Sequence, residues 1–387
     1  MYIYTSFLFI YTWMKYIKSL IFLLFLVFAF QKGYCQIDNN AFLRNEPDSV
    51  VSKTYLEINA TGYFKNNEYF NDIAEGYTLF GYNLFLKGGY HFNENLNFEA
   101  GGFFRWDFGN DEFRTILPYL RINYQSGKNR VIFGNINGWL AHDYIEPLYE
   151  FENFMTNDSE LGIQYLRKGN WYDLDVWVDW QNMIYPLDSA KEEIAGGLVF
   201  DGRLINRNRF QLSIPLQFKV YHRGGQIDIS NASLITRTNI AFGLKTKWLI
   251  SEAAVFKEIE TSVYYTTFND NSGTELLPFN SGSGLLLNAS FKSNNFGQFL
   301  LSYWKGNKFY SYQGGRLYQS LATEYGTPGY TEDRNIIFLR YGYDLKIANN
   351  SYLTLRGEPF YDLNNESIEY SFAMYFNLNL NYPITKN

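Results

Sequence analysis

From Tyr172 to Gln181 the chain alternates without a break. Tyr172, Leu174, Val176, Val178 and Trp180 share one parity, and Asp173, Asp175, Trp177, Asp179 and Gln181 share the other. Side chains on a strand point to opposite faces with period two, so such a segment has one charge-free face and one charged face. The pattern recurs where Leu96, Phe98, Ala100, Gly102, Phe104 and Trp106 oppose Asn97, Glu99, Arg105 and Asp107. It recurs again where Phe210, Leu212, Ile214, Leu216, Phe218 and Val220 oppose Gln211, Ser213, Gln217, Lys219 and Tyr221. Nothing else in the chain narrows the fold as far. A helical membrane span needs about 20 consecutive apolar residues, and the nearest approach, Leu20 to Phe30, has eleven.

Composition supports strands. The 387 residues include 35 Phe, 34 Tyr and 8 Trp, and aromatics make up 20% of the chain. That much aromatic side chain with 19% charged residues excludes disorder. A single Cys excludes a disulfide-stapled scaffold. The net charge is −6 and Lys and Arg are scattered, which leaves no electrostatic footprint for nucleic acid.

The N-terminus reads as an export signal. Lys15 and Lys18 precede the eleven-residue apolar run, which is too short to cross a bilayer but suits a signal's apolar core. Gly33 and Cys35 put small side chains at −3 and −1 of a cut before Gln36. The expected organisation is a signal peptide at 1–35 (with Met14 as a candidate true start), a periplasmic segment at 36–52, and a barrel at 53–387. A lipoprotein reading with Cys35 as acceptor is disfavoured by Lys32 and Tyr34. Without residues 1–35, 30 basic residues face 39 acidic ones, a balance of −9.

Sixteen alternating segments follow, most of them ten residues or longer, which suits strands crossing a bilayer at a tilt of roughly 40°. Their connections alternate in length. NEN, SGKN, KGN, NRN, SE, SNN and ANN are tight turns on one rim, whereas 66–77, 141–158, 184–192, 269–281 and 306–334 are long. Short turns on one rim and long loops on the other describe an all-β, antiparallel transmembrane barrel of the outer membrane, with periplasmic turns and extracellular loops. A cation in mid-bilayer costs roughly 2–4 kcal/mol, so the charge-free faces must meet lipid and the charges must face the lumen. A barrel this wide is not filled by its own wall side chains, and an aqueous channel is expected.

These features resemble the porin superfamily of sixteen-stranded outer-membrane channels. The third outer loop, AHDYIEPLYEFENFMTND, is long and acidic, and in general porins that loop folds into the lumen. The resemblance implies a constriction in which Glu146, Glu150 and Glu152 face Arg105, Arg121 and Arg340. The last strand alternates Tyr370, Phe372, Met374, Phe376, Leu378, Leu380 and Tyr382, similar to the signal read by the barrel-assembly machinery, although Pro383 to Asn387 follow it. The function implied is passive diffusion of small hydrophilic solutes across a Gram-negative outer membrane. Its lipids and lipopolysaccharide would be the surroundings, a homotrimer the assembly, and no cofactor is implied.

Asp173, Asp175 and Asp179 on one lumen face offer oxygens to a divalent cation, but a charge-balanced wall beside Arg203 accounts for them more simply, and no metal is expected. His91, His142 and His222 lack metal-ligand spacing. No GxSxG occurs, so no catalytic residue is assigned and a non-enzyme is expected; an enzyme would need Ser, His and acid clustered at one rim, most naturally at His142. Tyr310, Tyr312 and Tyr318 in the seventh outer loop offer a glycan-contact surface. They support the alternative of a non-conducting barrel that binds or organises surface polysaccharide.

Overall fold

The computed structural model describes residues 37–43, 53–273, 275–322 and 329–385. The signal peptide, the cut before Gln36 and residues 44–52 lie outside them. Sixteen antiparallel strands close into one ring. They are β1 (Thr54–Glu68), β2 (Thr78–His91), β3 (Leu96–Asp107), β4 (Thr115–Ser126), β5 (Asn129–Asn135), β6 (Leu161–Lys168), β7 (Tyr172–Asn182) and β8 (Glu192–Arg207). The second half comprises β9 (Phe210–Gly224), β10 (Ile235–Leu249), β11 (Glu258–Asp270), β12 (Ser281–Lys292), β13 (Gln298–Asn307), β14 (Asp333–Ala348), β15 (Ser351–Asp362) and β16 (Ser367–Thr385). The seam joins β1 to β16, with Ala60 opposite Leu378.

Local bonding sets where two of the strands stop or start. β5 stops at Asn135 because side chains take over its ladder: Asn135 Oδ1 accepts from the Leu120 amide at 2.8 Å. Arg121 then donates to the carbonyls of Asn135 at 2.6 Å and Ile136 at 3.0 Å, and the chain turns inward. β11 starts at Glu258, and the turn before it is wider than the expected SE: residues 250–257 form it, with the Ile250 amide bonded to the Lys257 carbonyl at 2.8 Å.

The two parities separate as expected. Leu86, Leu120, Val176, Ile214, Leu216, Phe218, Phe242, Met374 and Phe376 point out and are 36–50% exposed. Glu57, Lys87, Glu99, Arg105, Arg121, Lys219 and Arg356 are buried. Inward charges pair across strands, as Lys87 does with Glu57 at 3.1 Å and Glu99 at 3.2 Å. An apolar belt around a whole ring suits lipid and not water, and closure of the ring gives every strand a bonded neighbour on both sides. The chain is an outer-membrane barrel.

The lumen departs from the expected aqueous channel. Its outer half is occupied by the third outer loop (136–160) and by residues 308–322 of the seventh, which form a buried apolar cluster with the wall residues Phe85, Phe103 and Trp177.

Candidate functional site: the plugged lumen and the outer wall

The third loop enters the lumen through a tight turn at Trp139–His142, after which Asp143 adopts a left-handed conformation (φ 60°). Tyr144, Ile145, Leu148, Tyr149, Phe151, Phe154 and Met155 are all buried. His142 fastens the loop to the wall. Its Nδ1 lies 2.7 Å from the Asp175 carboxylate and its Nε2 2.7 Å from Glu160. Its ring stacks on Trp177 with centroids 4.4 Å apart, and Tyr149 donates to Glu160 from the other side. Burial alone would favour neutral imidazole, but Asp175 and Glu160 outweigh it and raise the pKa to about 10. With both nitrogens held by carboxylates, His142 has none left for a serine hydroxyl, and an ester-cleaving triad centred on it is removed.

The seventh loop locks onto the third. The Glu150 amide donates to the Gln313 carbonyl at 2.7 Å, and the Gly315 amide to the Glu146 carbonyl at 2.9 Å. Ser311 Oγ reaches the Leu148 carbonyl at 3.1 Å. The backbones approach so closely that a Cβ on Gly314 would stand 2.1 Å from the Pro147 oxygen. Tyr310 and Tyr318 are buried in this interlock, and Tyr312 stacks on Tyr221 at 3.5 Å. Of the tyrosines expected to meet glycan, Tyr310 and Tyr318 thus pack inside, while Tyr312 stays 39% exposed; Tyr325 of the same loop lies outside the described residues.

Of the expected constriction pairs, the structure brings Glu146 to Arg340. Glu150 instead meets Arg316 at 3.3 Å, and Glu152 meets Lys65 at 2.8 Å and Arg316 at 2.9 Å. Arg105 lies 3.5 Å from Asp158, and Arg121 holds the carbonyls that end β5. Lys65 and Arg316 were missed, although Lys65 lies on the inward parity of β1 and was legible as such. The three wall aspartates take separate partners: Asp173 binds Arg203, Asp175 binds His142, and Asp179 accepts from the Leu161 amide at 2.8 Å.

Below the plug, towards the short-turn rim, lies a polar cavity of about 860 Å³. Lys168, Arg203 and Lys245 line it with Asp173 and Asp201. Residues 37–43, expected in the periplasm, lie in this part of the lumen. Phe42 packs edge-on against Phe151 at 5.4 Å and Tyr375 at 5.1 Å. Arg356 covers the Phe42 ring at 4.9 Å and donates to Asn39 at 2.6 Å.

The other two histidines sit on opposite faces of the wall. His91 is buried beside Tyr55, with ring centroids 5.3 Å apart. His222 faces out, since directly paired residues share a face and its line on β9 includes Phe218 and Leu216. Its Nδ1 lies 2.9 Å from Thr236 Oγ1 on β10.

Residues 46–387 match the family described as lipid A 3'-O-deacylase-type, a span that takes in every strand. The chain belongs to that family. Membership in a family named for a deacylase corrects the expectation of a non-enzyme. The absent GxSxG excluded only a strand-to-helix nucleophile elbow, and a nucleophile and base can come from neighbouring strands instead. Among solved structures, the barrel is similar to OprD of Pseudomonas aeruginosa, with a TM-score of 0.50, 9% identity, and coverage of 88% of this chain and 98% of that one. It is equally similar to a loop L8 deletion mutant of OmpT of Vibrio cholerae, with a TM-score of 0.50, 11% identity, and coverage of 84% and 100%. At such identities the likeness is one of fold, and it makes this member of the deacylase-type family a porin-like barrel. No curated protein matches the chain.

Proposed function

We propose that the chain is an outer-membrane enzyme that cleaves an acyl ester of an outer-leaflet lipid, lipopolysaccharide being the lipid to test first. The observation that carries this reading is the extent of the family match, 46–387, which spans the whole barrel and not a borrowed segment. Two structural features support it. The outer half of the lumen is packed with two interlocked loops, so the wall is the surface most open to a large substrate. That wall stands in the leaflet where such a lipid lies. The test is incubation of the purified barrel in lipopolysaccharide-containing vesicles, with mass spectrometry of the lipid and of released fatty acid. Loss of one acyl chain with release of the matching acid is expected, and intact lipid after long incubation would sink the reading.

A second reading, passive diffusion of small hydrophilic solutes, is favoured by the charged cavity of about 860 Å³ at the short-turn end of the lumen. In it the third loop narrows the path, with Glu146, Arg340, Glu150, Glu152, Lys65 and Arg316 as its charged groups. Planar-bilayer recording separates the two. Steady ion-conducting steps would support the channel, whereas a silent bilayer with active deacylation would leave the enzyme alone.

A further inference from the structure

We infer that the upper outer wall of β8 to β10 is an ester-cleaving site for a long-chain acyl lipid, with Thr236 as nucleophile and His222 as its base. This rests on the enzymatic reading above and names where and how it would act.

Height is the first argument. The outward, charge-free line on β9 runs from Phe210 to Val220, ten residue steps. At about 3.3 Å per residue and a tilt near 40°, that line rises about 25 Å, the height of a barrel's apolar band. His222 is the next outward residue above it, at the boundary where acyl chains join a lipid's polar part. Thr236 stands directly opposite on β10.

Geometry is the second. The separation of 2.9 Å between Thr236 Oγ1 and His222 Nδ1 puts hydroxyl and base within direct proton-transfer reach. The ring lies over Gly224: a Cβ there would come within 2.4 Å of Nε2 and 3.3 Å of Leu234 Cδ2. Gly224 thus gives the imidazole its resting place, and Leu234 walls it on one side.

Apolar surface is the third. Just above the pair, the fourth outer loop (183–191) and the fifth (225–234) join through backbone bonds, Leu187 amide to Ile227 carbonyl and Ile229 amide to Asp188 carbonyl, both 2.9 Å. The ledge so formed exposes Leu187 (73%), Ile227 (49%), Ile229 (63%) and Leu234 (49%). An apolar ledge continuous with the lipid-facing wall seats an acyl chain and brings its carbonyl down to the pair.

In the reaction Thr236 Oγ1 attacks the ester carbonyl carbon while its proton passes to His222 Nδ1. The bond from that carbon to the alkoxide oxygen breaks, and the alkoxide takes the proton. Water from the polar side then gives a proton to His222 and cleaves the acyl-threonine, which releases the fatty acid and restores the hydroxyl.

The experiment compares wild type, Thr236→Val, His222→Gln, Gly224→Ala and the control Thr238→Val, which changes the next outward residue of β10. Each is folded into vesicles of lipopolysaccharide and phosphatidylethanolamine, checked for the heat-modifiable mobility of a closed barrel, and assayed for fatty-acid release. Loss of at least 100-fold is expected for Thr236→Val and His222→Gln and about 10-fold for Gly224→Ala, with Thr238→Val at the wild-type rate. A long-chain fluorophosphonate should label wild type at Thr236, located by peptide mapping. Full activity in Thr236→Val or His222→Gln, with wild type active, would overturn this site while leaving the enzymatic reading in place. An inactive wild type would overturn both.

Discussion

His142 of the third outer loop and Asp175 of β7 meet at 2.7 Å, and Glu160 holds the opposite nitrogen of the same ring at the same distance. One buried imidazolium therefore bridges two buried carboxylates and pins a loop of 25 residues, 136–160, to the wall.

Replacing His142 with Ala leaves those carboxylates facing each other without a cation. Removing one member of a buried charge group costs about 3–5 kcal/mol. The variant should lose its heat-modifiable folded band at a clearly lower temperature than wild type, with His142→Gln intermediate because an amide restores hydrogen bonds but not charge.

The same group predicts a pH dependence. Its folded pKa of about 10 lies above the ordinary value of 6.5, so the folded state holds a proton that the unfolded state releases first. The stabilisation is complete below pH 6.5 and is lost as pH rises towards and through 10. Thermal unfolding from pH 6 to 11 should show a falling midpoint in wild type and a flatter line in His142→Gln. Parallel lines would contradict the clamp.

Gly314→Ala places a methyl where the Pro147 carbonyl stands, 2.1 Å from the built Cβ. Backbone cannot yield there, so the seventh loop must lift from the third. Planar-bilayer current is expected to rise from the wild-type level, since the lift opens the outer half of the lumen; unchanged current would show that the remaining interlock seals it.

Leu216→Arg tests the assignment of faces. A cation at this outward, mid-wall position should cost about 2–4 kcal/mol of folding free energy in liposomes. Ser213→Lys on the inward face should cost much less, because it faces the polar cavity.

The fold was legible because lipid enforces parity. A strand such as Tyr172 to Gln181 has to keep every charge on one side, and the connections declare the rims by their length. The plug was less legible because its packing depends on residues far apart in sequence. Glu146 and Arg340 could be paired from strand order, but Glu150 and Arg316 meet only because two loops interlock, and neither loop carries a periodic pattern. The burial of Tyr310 and Tyr318 escaped notice for the same reason, since loop tyrosines look alike whether they face water or a lumen. His222 and Thr236 were each visible, yet their proximity depends on the register of β9 against β10. Period two fixes the face that a residue occupies and leaves the register to side-chain fit along the whole strand.

The interlock of the third and seventh loops also dictates an order of assembly. Arg316 and Glu150 are 166 positions apart, and the strands that carry their loops stand on different sides of the ring. The wall can zip up hairpin by hairpin, each paired with its neighbour, but the stopper needs both loops at once and so sets only after the ring has curled far enough to bring them together. A nascent barrel of this kind is open through its outer half until the two loops meet. Water leaves that half of the core only when the stopper sets.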